Sequence, residues 1–220
     1  MSIIEARNIE RSFDDLTVLS GLDLDVAQGE FLAIVGRSGV GKSTLLAILG
    51  THDLDHGGTL KIADTPTNDL SSGALAALRR DYLGFVFQDF YLLPALTATE
   101  NVILPTVFSG GNLEKARVHA RDILDKLSLR TDETPTSLLS RGERQRVAVA
   151  RGLVNRPSVL LADEPSASLD EESENILFDL LDELRRQQNF ALIAVVHSTG
   201  VLDRADRILE LKDGILHEVV

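Results

Sequence analysis

Three short runs of consecutive apolar residues predict buried β-strands. The runs are FLAIV at 31–35, SVLLA at 158–162 and FALIAVV at 190–196. An apolar run without polar alternation is typical of a strand that is covered on both faces, as in a parallel sheet. These three segments are therefore the predicted centre of the fold.

The segment between the last two runs has a different period and predicts an amphipathic helix. Its apolar residues recur every three or four positions, which is the spacing of one helix face. They are Ile176, Leu177, Leu180, Leu181 and Leu184. Buried strands that alternate with helices indicate an α/β fold with a parallel sheet.

The pattern changes at both ends and in the middle of the chain. Residues 17–31 alternate apolar and polar positions with glycine at the turns, which favours antiparallel strands beside the main sheet. Residues 208–220 predict a hairpin closed by Asp213 and Gly214. Residues 89–155 have a helical character and predict an inserted helical subdomain. One predicted apolar stripe there comprises Leu113, Ala116, Ala120, Ile123, Leu124 and Leu127.

Composition and charge narrow the function classes. The 220 residues carry 22 Lys and Arg against 34 Asp and Glu, a formal net charge of -12. This charge repels a polyphosphate backbone, so we expect no nucleic-acid partner, although residues 138–152 (LLSRGERQRVAVARG) form a local basic run. No apolar run approaches the roughly 18 to 20 residues that span a bilayer. No signal peptide opens the sequence and there is no cysteine, so we expect a cytoplasmic location.

The first buried strand runs directly into GRSGVGKST at 36–44, which matches the phosphate-binding pattern G-x-x-x-x-G-K-[ST]. A strand before this loop and a helix after it allow backbone N–H groups and the helix N-terminus to surround a phosphate chain. Lys42 is predicted to reach the β- and γ-phosphates and Ser43 to ligate Mg²⁺. The other predicted nucleotide ligands are Gly36, Ser38, Gly39, Gly41 and Thr44. The alternative is a glycine-rich turn with an incidental lysine.

Two acidic residues, Asp163 and Glu164, end the second buried strand. A carboxylate at the carboxyl end of a parallel strand can hold Mg²⁺, and Asp163 is predicted to do so. Glu164 is then placed to orient or deprotonate the attacking water. An Asp-Glu pair alone is more often a helix start, but the phosphate loop upstream favours the catalytic interpretation.

Five motifs in this order resemble the nucleotide-binding subunit of ATP-binding cassette (ABC) transporters: GRSGVGKST, FVFQDF, LSRGERQRVAVARGL, VLLADEPSASLD and VVHS. The likeness covers nearly the whole chain and implies a P-loop NTPase (RecA-like) α/β core with a parallel sheet. It implies a single domain, with a core of residues 1–88 and 156–220 and a helical signature subdomain of residues 89–155. The stretch at 79–105 resembles the subgroup that serves lipoprotein-release, macrolide-efflux and cell-division type membrane proteins.

The resemblance implies roles for residues that periodicity alone does not single out. Gln88 would sense Mg²⁺ and the attacking water and touch the membrane partner, and His197 would contact the γ-phosphate. Phe13 occupies the place of the aromatic residue that stacks on adenine. Asp170 ends the loop that contacts the other subunit. By composition alone, Phe13 is a core residue and a lone histidine after a strand is structural.

The signature segment departs from the family pattern at one position. The usual sequence is L-S-G-G-Q or L-S-G-G-E, whereas Arg141 follows Ser140 here. In the family this segment faces ATP on the other subunit, so Ser140 and Gly142 would complete a γ-phosphate site. If the backbone needs a positive φ at Arg141, the substitution costs about 1 to 2 kcal/mol. Otherwise Arg141 either faces solvent or a carboxylate, or acts as an arginine finger on the phosphate.

The resemblance implies an ATPase that dimerises around two ATP molecules, with Mg²⁺, and drives separate integral membrane permease subunits for export or lipoprotein release. A homodimer, peripheral on the inner face of the cell membrane, is expected. An ATPase that drives a mechanical, non-transport membrane complex is an alternative. A soluble ABC protein for DNA repair or translation is another, as is a subunit whose turnover is poor because of Arg141.

Overall fold

The computed structural model describes residues 2–108, 110–129, 133–167 and 169–219. Within these residues the chain forms ten strands and seven α-helices. The strands are β1 (Ser2–Phe13), β2 (Leu16–Ala27), β3 (Phe31–Val35), β4 (Gly57–Ile62), β5 (Thr65–Pro66), β6 (Leu83–Val86), β7 (Val159–Asp163), β8 (Ala191–Val195), β9 (Arg207–Lys212) and β10 (Ile215–Glu218). The helices are α1 (Lys42–Leu49), α2 (Ser72–Tyr82), α3 (Ala98–Phe108), α4 (Leu113–Lys126), α5 (Arg141–Leu153), α6 (Glu171–Gln188) and α7 (Thr199–Leu202).

The main sheet has six strands in the order β10-β9-β3-β8-β7-β6. Five of them are parallel, and only β10 is antiparallel to its neighbour β9. Phe31 and Ala33 of β3 pack in a core with α6, while Leu32 and Ile34 pack in a second core with α1. Burial on both faces explains why the predicted strands lack polar alternation. The predicted parallel sheet and C-terminal hairpin are confirmed.

The second sheet is antiparallel, with the strand order β2-β1-β4-β5. Its apolar face, including Ile4 and Leu22, shares a core with Leu45 and Ile48 of α1. Helix α1 is therefore enclosed between the two sheets. This arrangement confirms the predicted α/β class with an antiparallel β-subdomain.

Helices α3, α4 and α5 pack against one another in the segment between β6 and β7, as the helical prediction for this region requires. Two predicted core residues are exposed, which corrects the sequence interpretation. Leu113 is 41% exposed because it is the first residue of α4. Ile176 is 45% exposed because α6 buries the face that carries Leu177 and Phe178. No helix in the described ranges has the length and apolarity needed to span a membrane.

A glycine pair sets the distance between β6 and α5. A Cβ atom added to Gly84 would lie 2.1 Å from the carbonyl oxygen of Gly152, and one added to Gly152 would lie 2.9 Å from the carbonyl oxygen of Phe85. Neither approach is compatible with a side chain. The strand that leads to Gln88 therefore rests directly on the backbone of the helix that begins at Arg141.

Candidate active site

Four parallel strands bring most of the predicted chemical groups to one edge of the main sheet. In the order of the strands, the phosphate loop follows β3, His197 follows β8, Asp163 ends β7 with Glu164 next to it, and Gln88 follows β6. The carboxyl ends of parallel strands form this edge, which is where open α/β sheets bind ligands.

The phosphate loop depends on glycine at two positions for steric reasons. Gly41, with φ 113°, caps α1, and a Cβ there would lie 2.4 Å from a methyl group of Val18. Gly36, with φ 144°, would place a Cβ 2.5 Å from the carbonyl oxygen of Leu211. The first turn of α1 contains no acidic side chain. No carboxylate of the helix itself therefore competes for the free N–H groups at its positive end, and these groups can bind an anion.

Lys42 is buried at the start of α1 and points back into the loop. Its Nζ donates hydrogen bonds to the carbonyl oxygens of Gly36, at 2.8 Å, and Arg37, at 2.9 Å. Burial lowers the pKa of Lys42, while the carboxylates of Glu164 and Asp163 oppose that shift. The ammonium group thus lies between the phosphate loop and the acidic end of β7.

Asp163 carries a buried Oδ1 atom for which the described residues supply no hydrogen-bond partner. Burial raises the pKa of Asp163, and a hydrogen bond from the Ser43 side chain lowers it in part. A buried carboxylate oxygen beside a serine hydroxyl is a set of hard oxygen donors, which fits Mg²⁺. The residues present therefore fit the predicted metal.

Glu164 and His197 form a direct contact, with 2.7 Å between Glu164 Oε1 and His197 Nε2. Glu164 has φ 47°, a left-handed conformation that is uncommon outside glycine, and its backbone N–H donates to Val195 O at 3.2 Å. Ten other non-glycine residues that the structure describes share a positive φ, so the conformation itself does not mark a functional residue, and the contact with His197 is what singles out Glu164. The left-handed backbone turns the carboxylate away from the strand direction and towards His197.

Two predicted residues lie at the margins of this edge. Gln88 is exposed and begins the segment after β6. Phe13 is 46% exposed at the end of β1, with the guanidinium carbon of Arg11 4.2 Å from its ring centroid. The contact of Val18 with the phosphate loop places the β1–β2 hairpin beside that loop.

The signature residues lie at helix starts, and the described contacts do not join them to the phosphate loop. Ser140 caps α5 through a capping box, in which its Oγ accepts from Glu143 N and its own N–H donates to the Glu143 carboxylate. Asp170 caps α6 by accepting from Ser173 N at 2.8 Å. A Cβ on Gly142 would lie 3.7 Å from Leu169, so the two helix starts are neighbours.

Arg141 is the first residue of α5 and is exposed. It is not among the residues with positive φ. The first glycine of the family signature is therefore not required here by the backbone, and the strain that a positive φ would bring does not arise. The arginine-finger interpretation of Arg141 stays a prediction.

Two other arginines of α5 contact the segment between β6 and α3. Arg151 donates to the carbonyl oxygens of Tyr91, at 2.6 Å, and Phe90, at 2.7 Å, and Arg144 lies 5.4 Å from the Phe90 ring centroid. They hold the segment that follows Gln88. The helical period gives no signal for this role, because the acceptors are backbone atoms some 60 residues away.

Comparison with known proteins places these features in a family. An ABC transporter family model matches residues 19–167. The lipoprotein-releasing system ATP-binding protein LolD 1 of Caulobacter vibrioides is 44% identical over 221 residues, which cover 98% of this chain and 94% of that protein. The corresponding LolD protein of Porphyromonas gingivalis is 44% identical over 216 residues, or 97% and 98% of the two chains.

Solved structures agree with this relationship. A dimeric structure of the bacterial ABC transporter cassette MJ0796 matches with a TM-score of 0.90 and 36% identity, covering 98% of this chain and 97% of that one. A dimeric post-hydrolysis state of the same cassette, bound to ADP and phosphate, matches over the same shares with a TM-score of 0.88 and 36% identity. The chain therefore belongs to the ABC transporter family, as one of its ATP-binding, ATP-hydrolysing cassettes.

Proposed function

We propose that this ATPase powers the release of lipoproteins by a membrane complex, from the inner face of the cell membrane. The assignment of ATP hydrolysis rests on one observation. Four side chains lie together at the edge formed by β3, β7 and β8, namely Lys42, Asp163, Glu164 and His197. The names of the related proteins from Caulobacter vibrioides and Porphyromonas gingivalis support the substrate class.

We assign nucleotide binding to the phosphate loop and the β1–β2 hairpin. Lys42 binds the β- and γ-phosphates, and the backbone N–H groups of the loop surround them. Phe13 stacks on the adenine. The remaining loop ligands are Gly36, Ser38, Gly39, Gly41, Ser43 and Thr44.

We assign Mg²⁺ to Ser43, Asp163 and Gln88. The ion would neutralise charge on the β- and γ-phosphates. Glu164 accepts the proton of the attacking water, and His197, in contact with that carboxylate, binds the γ-phosphate and orients it. Gln88 extends this set from the neighbouring strand β6.

We infer a homodimer that closes around two ATP molecules, as the dimeric form of the related cassette suggests. Ser140, Gly142 and Asp170 then contribute to the site of the other subunit. Ser140 and Asp170 are exposed and Gly142 is half-buried at the starts of α5 and α6, and these positions favour such a contact. ATP links the two subunits, so it stabilises the dimer by mass action and hydrolysis releases it.

We assign the membrane partner to a groove beside the segment after Gln88. The groove is lined by basic residues and by an aromatic floor that includes Phe85 and Phe87. The Tyr91 ring, whose centroid lies 5.5 Å from that of Phe87, adds apolar surface at 69% exposure. An amphipathic segment of the membrane partner fits this groove, because its apolar face would contact the aromatic floor and an acidic end would face the basic residues. The basic residues are Arg79, Arg80 and Arg151.

The substrate assignment is tested in proteoliposomes that contain the chain with its membrane partner and a triacylated lipoprotein. We expect ATP-dependent release of the lipoprotein from the bilayer, and none of a bilayer-anchored protein without acyl chains. The control omits ATP. Steady ATP hydrolysis without lipoprotein release would contradict the assignment and favour a mechanical, non-transport role.

The arginine-finger hypothesis for Arg141 is tested by Arg141→Gly and Arg141→Ala in the assembled ATP-bound complex. If the guanidinium stabilises the phosphate, both variants lower ATPase turnover to a similar extent, because both remove the same charge. Arg141→Ala controls for the flexibility that glycine adds at a helix start. Phosphate release at saturating ATP is measured, and unchanged or higher turnover of both variants rejects the finger. Thermal unfolding should barely change, because surface substitutions shift stability by about 0.5 kcal/mol or less.

A further inference from the structure

We infer that Arg11 is a positioning residue that holds the Phe13 ring as the platform for the nucleobase of ATP. The inference rests on the proposed function, in which Phe13 stacks on adenine. The guanidinium carbon of Arg11 lies 4.2 Å from the centroid of the Phe13 ring. One face of the half-exposed ring is therefore covered by a cation, and the opposite face remains for the base.

The Arg11 guanidinium is fixed by three acceptors. Its Nε donates to Asp53 Oδ2 at 2.8 Å, and its Nη1 donates to Asp55 Oδ2 at 2.6 Å and to the carbonyl oxygen of Ser12 at 3.0 Å. The Arg11 side chain is only 13% exposed. Because it is held by several charge-assisted bonds, this guanidinium is not a mobile surface group.

These contacts join the base platform to the phosphate loop. Asp53 and Asp55 follow α1, the helix that begins with Lys42 of the phosphate loop. From the other side, Val18 of the hairpin that carries Phe13 packs against Gly41. The position of the Phe13 ring relative to the loop is therefore set from both ends of α1.

This arrangement has a consequence for nucleotide affinity. An exposed phenylalanine that is free to turn loses rotamer freedom when a base stacks on it, whereas a ring that is already held loses less. The cation also interacts favourably with the face of the ring. Removing the Arg11 guanidinium should thus weaken the part of ATP binding that depends on the base, without affecting the part that depends on phosphate.

The test is a double-mutant cycle with Arg11→Met, Phe13→Leu and the double variant. Dissociation constants are measured by calorimetry for a non-hydrolysable ATP analogue and for inorganic triphosphate. We expect Phe13→Leu to weaken the analogue about tenfold, from the loss of base stacking. Arg11→Met should weaken it about threefold, from the loss of the cation at the ring. The double variant should resemble Phe13→Leu alone, and triphosphate binding should stay the same in all three.

Arg7→Met is the matched control, because Arg7 lies on the same strand and forms a similar pair with Asp25, at 2.7 and 2.9 Å. Within the described residues it has no aromatic contact. Arg11→Lys keeps the charge and serves if Arg11→Met is poorly folded; it should bind the analogue with an affinity between those of Arg11→Met and the parent chain.

The possible outcomes distinguish the role of Arg11 as a positioning residue from the role of Phe13 as the base platform. If Phe13→Leu weakens analogue binding but the Arg11 variants behave like Arg7→Met, the role of Arg11 is overturned and the platform stands. If the Arg11 variants weaken analogue and triphosphate binding equally, Arg11 only supports the fold of the loop after α1, and the inference is again overturned. If Phe13→Leu changes neither constant, the assignment of Phe13 fails, and the inference fails with it.

Discussion

Replacing Glu164 by glutamine is expected to abolish ATP hydrolysis while ATP binding is retained. Glutamine keeps the size of the side chain and cannot accept the proton of the attacking water. Loss of a general base lowers a rate by about 10²- to 10⁴-fold. The phosphate loop is not altered, since Lys42 makes its hydrogen bonds to backbone carbonyl oxygens of the loop.

The same variant should change the assembly state. If hydrolysis normally ends the ATP-bound dimer, a subunit that binds ATP without cleaving it remains in the dimer, because bound ATP favours the associated form. We expect a dimer in size-exclusion chromatography with MgATP for Glu164→Gln, whereas the parent chain returns to monomer as ATP is consumed.

Glu172→Gln is a suitable control for both measurements. Glu172 is an exposed carboxylate in the first turn of α6, and the described residues form no ion pair with it. It should leave phosphate release and dimer lifetime unchanged. Residual hydrolysis within about tenfold of the parent rate in Glu164→Gln would show that another group accepts the proton, since general base catalysis contributes more than this factor.

The second large effect is expected from Gly84→Ala, on stability. The added methyl group would lie 2.1 Å from the carbonyl oxygen of Gly152, a backbone atom that cannot turn away. Strand β6 and helix α5 must then separate. Forcing an extra methyl into a packed interior costs about 1 to 3 kcal/mol. We expect a lower urea midpoint, measured by circular dichroism.

Gly73→Ala provides the matched comparison, because it makes the same chemical change in a different environment. Gly73 lies in α2, and apart from its chain neighbours and the backbone of its own helix, no heavy atom of the described residues lies within 4 Å of the position of its added Cβ. Alanine is the better helix former by up to about 1 kcal/mol, so Gly73→Ala should raise the midpoint or leave it unchanged. Equal decreases of the urea midpoint in the two variants would mean that the close contact between Gly84 and the Gly152 carbonyl oxygen does not cause the loss of stability.

Local patterns in the sequence predicted the centre of the main sheet and part of the active edge, whereas the roles of Gln88 and His197 came only from the family resemblance. Apolar runs identified β3, β7 and β8, and two motifs identified the phosphate loop and the acidic end of β7. These signals are local, since a strand that is buried on both faces and a glycine-rich loop are both defined by consecutive residues. Parallel strands then bring the motifs together without further information from the sequence.

Contacts between distant segments could not be predicted. The bonds from Arg151 to two backbone carbonyl oxygens, and the packing of Gly84 on Gly152, depend on which helix meets which strand. The spacing of apolar residues predicted helix α6 but not which of its faces packs against the protein core. Ile176 was therefore assigned to the interior and Phe178 was not. The left-handed backbone of Glu164 is also set by tertiary structure, because local sequence favours it only for glycine and, less often, asparagine or aspartate.

The capping box at the start of α5 leaves the Ser140 hydroxyl able to serve the proposed catalytic cycle. In the single subunit, the Ser140 hydroxyl accepts the backbone N–H of Glu143, and an N-cap of this kind is worth about 0.5 to 2 kcal/mol. A serine hydroxyl also carries one O–H donor, so it can donate to a phosphate of the neighbouring subunit and keep the bond from Glu143. Closure then adds a hydrogen bond without opening the first turn of α5, and the cap holds the hydroxyl oxygen in place before the partner subunit arrives.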